Sequence, residues 1–135
     1  MPTADERKYE RIDRLTRKLV ARSKLGTPII VEGRKDRLSL RRLGVEGEIL
    51  CLKSSAMGFF DFLEEIKLWR EVIILTDFDR EGRELSSQLV RELSRVRVKT
   101  DDSFWRELRS LGRSEIRSVE ELADYVERLR KTVKP

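Results

Sequence analysis

The chain has 135 residues, 39% of them hydrophobic, enough apolar mass for one core and too much for a disordered polymer. Basic residues outnumber acidic ones 30 to 25, a formal charge of +5, which suits a phosphate-rich partner and equally a solvated surface laced with ion pairs. Histidine is absent and Cys51 is the one cysteine, which excludes Ser–His and Cys–His relays, imidazole ligands, zinc clusters and an internal disulfide.

The remaining chemical inventory is carboxylate, lysine, arginine and hydroxyl, and carboxylates favour hard cations such as magnesium. Asparagine is absent and Gln88 is the only glutamine, a composition expected of a thermophilic source. No apolar run approaches the ~18 residues that span a bilayer. Residues 1–11 are charged and lack an apolar segment, so neither a membrane anchor nor a secretory leader is expected, and a cytoplasmic location is.

The first predicted element is a helix over residues 4–25, with Tyr9, Ile12, Leu15 and Leu19 at helical spacing and Gly26 as its stop. Pro28-Ile29-Ile30-Val31 reads as a buried strand. A short helix over 36–43, ended by Gly44, and a second strand over 48–53 follow. Cys51, inside Ile49-Leu50-Cys51-Leu52, is expected to be a buried structural thiol. A helix over 58–69 carries Phe59, Phe62, Leu63 and Ile66 on one face. Val72-Ile73-Ile74-Leu75 is a third buried strand, and residues 80–96 form a helix with Leu85, Leu89, Val90 and Leu93 inward. Residues 97–99 read as a weaker edge strand. Phe104, Trp105, Leu108 and Leu111 mark a short helix stopped by Gly112, and Ser118-Val119-Glu120-Glu121 reads as a capping box opening a last helix. Strands alternating with helices predict an α/β, Rossmann-like sheet of about four mostly parallel strands, covered on both faces. One domain over 1–135 is expected, with a core near 27–100, an N-terminal helix over 4–25 and a helical tail over 101–133.

Two strands run into acids at their carboxyl ends, where open parallel sheets hold ligands. The first runs into Glu32-Gly33 and the third into Thr76-Asp77-Phe78-Asp79. In extended chain, residues two apart point the same way, so Asp77 and Asp79 are expected to face one spot with Phe78 packed behind; Glu32 joins them if the strands are neighbours. Two such carboxylates ~5 Å apart repel by about 3 kcal/mol at an effective dielectric of 20, so a divalent cation or a cluster of Arg and Lys should offset the charge. The alternative is local: Asp79 caps the helix from Arg80, and Glu32 pairs with Arg34 or Lys35. Arg34, Lys35, Lys53, Arg80 and Arg83 flank the same loops and are candidate phosphate contacts, or neutralise the acids. Ser54, Ser55 and Gly58 form either a loop that lets a backbone approach closely or an ordinary turn. Trp69 and Trp105 are candidates for base stacking or for the core.

Glu32-Gly33 after one apolar strand and Thr76-Asp77-Phe78-Asp79-Arg80-Glu81-Gly82 after another resemble the Toprim domain of topoisomerases, bacterial-type primases, old-family nucleases and a ribosomal-RNA maturase. The stretch Asp77–Gly82 looks most like the type IA topoisomerase version, and the overall size resembles small stand-alone Toprim proteins described as primase-like or ribonuclease-like. The resemblance covers roughly residues 27–100. It implies a Toprim fold, magnesium (or manganese) as the metal, Asp77 and Asp79 as its ligands, Glu32 as a general acid/base or further ligand, and nucleic acid as partner. Glu81 is either a further ligand or a solvent-facing residue of a helix start. The only tyrosines, Tyr9 and Tyr125, lie in predicted terminal helices, so the strand-passage chemistry of a topoisomerase is not expected; nor are a primase's zinc module and polymerase subdomain. Two functions stay open: a magnesium-dependent phosphodiesterase acting on RNA or DNA, and a non-catalytic nucleic-acid-binding subunit of a larger complex. A receiver-like domain is disfavoured by the Glu-Gly and Asp-Arg-Glu-Gly segments.

Overall fold

The computed structural model describes residues 1–53 and 57–134. Strands β1 (Ile29–Val31), β2 (Ile49–Cys51), β3 (Glu71–Ile74) and β4 (Lys99–Asp101) form one sheet in the order β2-β1-β3-β4, parallel throughout. Ile29 is in register with Ile49 on one side and with Ile73 on the other. The helices are α1 (Ala4–Lys24), α2 (Arg34–Arg42), α3 (Phe59–Ile66), α4 (Arg80–Arg95), α5 (Ser103–Gly112) and α6 (Leu122–Val133).

The continuous apolar strands are what a sheet buried on both faces requires, because successive side chains point to opposite sides. Ile29, Val31, Ile73 and Leu75 enter one core with residues of α1, α2, α5 and α6, whereas Ile30, Val72 and Ile74 enter a second with α3 and α4. Ile73 and Ile74 are both fully buried, each worth about 2 kcal/mol of transfer free energy.

α1 begins where Thr3 Oγ1 accepts from Glu6 N–H at 3.1 Å, with acids in its first turn and bases in its last, as the helix dipole favours. It ends at Gly26, whose φ of 103° is open to glycine at little cost. Tyr9, Tyr125, Cys51 and Trp105 are core residues, and Trp69 packs partly buried against the second core.

Several bounds differ from the sequence reading: α2 starts at Arg34 rather than 36 and α3 stops at Ile66 rather than 69, and two further elements differ for a local reason. β4 starts two residues later than expected, because Arg97 turns the chain at φ 63° and Val98 drops into the core before pairing begins. The predicted capping box is a 3-10 turn over Val119–Glu121 instead; Glu121 Oε1 accepts from Arg117 N–H and Ser118 Oγ–H rather than from the first amide of the turn. Ser54 and Ser55 lie outside the described residues, while Gly58 caps α3 in extended backbone with open space where a Cβ would stand. No helix among the described residues is long and apolar enough to cross a membrane.

Candidate metal centre

From β1 the chain moves outward to β2, then crosses back to β3 and onward to β4. The order therefore reverses between β1 and β3, and the crevice outside that reversal is where open α/β sheets take ligands. Glu32 follows β1 and Asp77 lies just beyond β3, so both occupy that crevice. Glu32 is buried, and its Oε2 accepts from Asp77 N–H at 2.8 Å while its Oε1 meets Lys53 Nζ at 2.9 Å. The partner of Glu32 is thus the lysine after β2, not Arg34 or Lys35.

The second acidic loop is held by a close approach. A Cβ built on Gly82 would lie 1.9 Å from Asp77 O, so only glycine lets α4 start against this loop. Thr76 Oγ1 donates to Gly82 O at 2.7 Å, Gly82 N–H donates to Asp79 Oδ1 at 2.8 Å, and Trp105 Nε1–H donates to Asp77 O at 3.0 Å. Phe78 N–H donates to Arg117 O at 2.7 Å, and its ring packs near Trp105 in the core, as expected.

Asp77 and Asp79 do not turn to one spot. The backbone bends at Phe78 and Asp79, which breaks the extended alternation, and Asp79 becomes the exposed N-cap of α4. Asp77 stays half-buried in the crevice beside Glu32. Among the described residues no three acidic or thiol side chains stand gathered as around an ion, since both oxygens of Glu32 and one of Asp79 are turned to protein donors.

The electrostatics nevertheless fit a hard divalent cation. Asp77 is pushed up to about 7, first by burial and then by the charges of Glu32, Asp36 and Asp79. Burial likewise raises Asp36, against the amides of Gly33 and Glu120 that hydrogen-bond it. Lys53 is raised chiefly by its hydrogen bond to Glu32. The donors are all oxygen and the negative charge exceeds what Lys53 offsets, the imbalance that an added magnesium ion relieves.

Glu32, Asp77 and Asp36 share a cavity of about 460 Å³ with Arg34, Lys35 and Lys53, three of the predicted phosphate contacts. The other two, Arg80 and Arg83, line a separate groove along α4 with Arg91. Glu81 is exposed in the first turn of α4.

Sequence reasoning missed Asp36 and the tail. Asp36 Oδ2 accepts from Gly33 N–H and its Oδ1 from Glu120 N–H, both at 2.9 Å, while Val119 N–H reaches Asp77 Oδ1 at 3.4 Å. The Gly-x-x-Asp spacing across Gly33 and Asp36 was the available signal, because a carboxylate at the third helical position can reach back to the cap. Nothing in the sequence told that residues 117–120 return to this edge.

The Toprim domain family matches residues 27–102, the segment holding every strand and both acidic loops. A UPF0292 protein of Methanosarcina acetivorans is 40% identical over 92% of this chain and 85% of its own length. One from Methanocaldococcus jannaschii is 37% identical over 73% and 77%. A solved structure of a protein from Aquifex aeolicus superposes with a TM-score of 0.67 at 24% identity, over 80% of this chain and 94% of that one, a likeness of fold. With the family covering more than half of its length and archaeal relatives aligned along most of it, the chain belongs to the Toprim domain family, among the small UPF0292 proteins.

Proposed function

We propose that the protein binds magnesium, or manganese in its place, at the crevice between β1 and β3 and uses it to act on a nucleic-acid phosphodiester. The observation that carries this is the partly buried Asp77 carboxyl, its amide bonded to Glu32, with the charges of Glu32, Asp36 and Asp79 acting on it and, among the described residues, Lys53 as the one base bonded to Glu32. Glu32 and Asp77 would hold the ion, joined by Asp79 once its side chain turns from the α4 cap toward the crevice. A bound divalent cation polarises a phosphoryl oxygen and orients the attacking group.

The chain's own residues prepare that chemistry. Thr76, Gly82 and Trp105 fix the backbone of the Asp77 loop, so its carboxylate needs little reorganisation. Lys53 is well exposed and tethered to Glu32, and with Arg34 and Lys35 it offers positive charge to a phosphate entering the cavity. In the alternative role, Glu32, released from Lys53, would accept or return a proton and leave the ion to the aspartates.

Incubating labelled RNA and DNA with the protein and magnesium tests the catalytic form. Cleavage lost in Asp77→Ala supports it, whereas cleavage retained in that variant removes Asp77 from the chemistry. The second function, a binding subunit of a larger RNA or DNA machine, is favoured by Glu32, whose two carboxylate oxygens are both engaged, by Asp77 N–H and by Lys53. In that case oligonucleotides bind in a magnesium-dependent manner without being cut.

A further inference from the structure

α5 lies beyond the residues that match the Toprim domain, and its two faces differ sharply. Phe104, Trp105, Leu108 and Leu111 are buried, whereas Arg106, Glu107, Arg109, Ser110 and Arg113 are exposed. The three arginines recur three and four residues apart, so they share one side of the helix and its end, over about 10 Å. With Phe78 they line a groove of about 410 Å³ that no carboxylate lines among the described residues. Asp102 pairs with Arg106 at 3.1 Å from the groove's end.

This groove is tied to the candidate metal centre. Its Phe78 stands in sequence between Asp77 and Asp79. Arg109 sits 5.5 Å over the Trp105 ring, and the indole N–H of Trp105 donates to Asp77 O. Arg113 has φ 46° and ψ −120°, a backbone region that favours glycine; its side chain stands there at a backbone cost and supplies the groove's third guanidinium.

We propose that the arginine row of α5 is a docking surface for the phosphodiester backbone of a nucleic-acid strand, carrying the strand across Phe78 so that a neighbouring phosphate reaches the Glu32–Asp77 cavity. Guanidinium forks match phosphate oxygens in pairs, and a row of them suits a repeating anion better than a single small one. The groove has no apolar pocket for a peptide anchor, since its one aromatic lining residue, Phe78, is itself a core residue. The proposal rests on the nucleic-acid reading above but not on the metal.

The test is fluorescence anisotropy with short labelled single-stranded RNA, single-stranded DNA and duplex oligonucleotides, in EDTA, at salt from ~50 to ~300 mM. R106Q/R109Q/R113Q should flatten the plot of log affinity against log salt by about two, because each single-strand phosphate contact contributes roughly 0.7 to the slope. R17Q/K18Q/K131Q, which removes as much charge from α1 and α6, should keep the wild-type slope. R113G should lose about one contact's share while its melting temperature does not fall, which separates loss of the guanidinium from loss of the fold. Equal slopes for the two triple variants would overturn the proposal, as would polyglutamate competing as well as an oligonucleotide of equal charge. Wild-type protein that binds none of the oligonucleotides would overturn it too, and leave magnesium binding to be judged by calorimetry with the ion alone.

Discussion

Replacing Asp77 with Asn should make the metal-free protein more stable. Burial and the neighbouring acids raise this carboxyl from the ordinary 3.8 to about 7, so above pH 7 the folded protein carries a charge that the unfolded chain holds more comfortably. The full shift corresponds to about 4 kcal/mol; solvent screening at a half-exposed side chain reduces this to about 2 kcal/mol. The amide can still accept the Val119 N–H bond, so little is lost in exchange. For a domain of this size the gain corresponds to a melting temperature higher by about 5–10 °C. The sign with pH follows from the raised value. The folded state binds the extra proton between pH 3.8 and 7, so the wild type's penalty is absent near pH 4, grows as pH rises and is complete above 7. Thermal unfolding followed by circular dichroism in EDTA, at pH 8 and pH 4, measures it. The Asn variant should melt higher at pH 8 and level with the wild type at pH 4. A variant that melts at or below the wild type at pH 8 would refute the crowded-acid reasoning.

Gly82→Ala should lower stability by at least ~3 kcal/mol or block folding, because the added methyl meets the Asp77 carbonyl carbon as well as its oxygen; chemical denaturation with urea reads it. Lys53→Met leaves buried Glu32 without its ammonium, so the metal-free variant should lose about 1–2 kcal/mol at neutral pH, and magnesium should restore more of its stability than it adds to the wild type. Arg22 bridges Glu71 at 3.2 Å and Asp101 at 2.9 Å, tying α1 to the β3–β4 edge. Burial alone would raise Asp101, but the Ser103 hydrogen bonds and Arg22 outweigh it and lower the carboxyl. That contribution is present above 3.8 and is lost as pH falls through the lowered value, so the cost of Arg22→Gln, about 1–2 kcal/mol at pH 7, should shrink under acid unfolding.

The sheet was legible because its signal is one-dimensional: Ile29-Ile30-Val31 and Val72-Ile73-Ile74-Leu75 alternate between two cores only if both faces are covered. Glu32 and Asp77 were legible as a pair because strand ends converge at a parallel sheet's carboxyl edge, and β1 and β3 are indeed neighbours. The direction of Asp79 was not, since a bend of two residues sets it and capping competes with facing the crevice. Asp36 escaped because the burial of a polar residue depends on what packs over it, here Glu120 from 84 positions further along. The contacts of Arg117, Val119 and Glu120 depend on the return path of the tail, which no local pattern encodes.

Isothermal titration of the metal-free protein with magnesium chloride, alongside the E32Q and D77N variants, bears most directly on the metal assignment. The wild type should take up the ion with release of protons near pH 7 and with a rise in melting temperature, and both variants should lose most of the heat. Absent heat and an unchanged melting temperature in the wild type at millimolar magnesium, or uptake that survives in D77N, would contradict it.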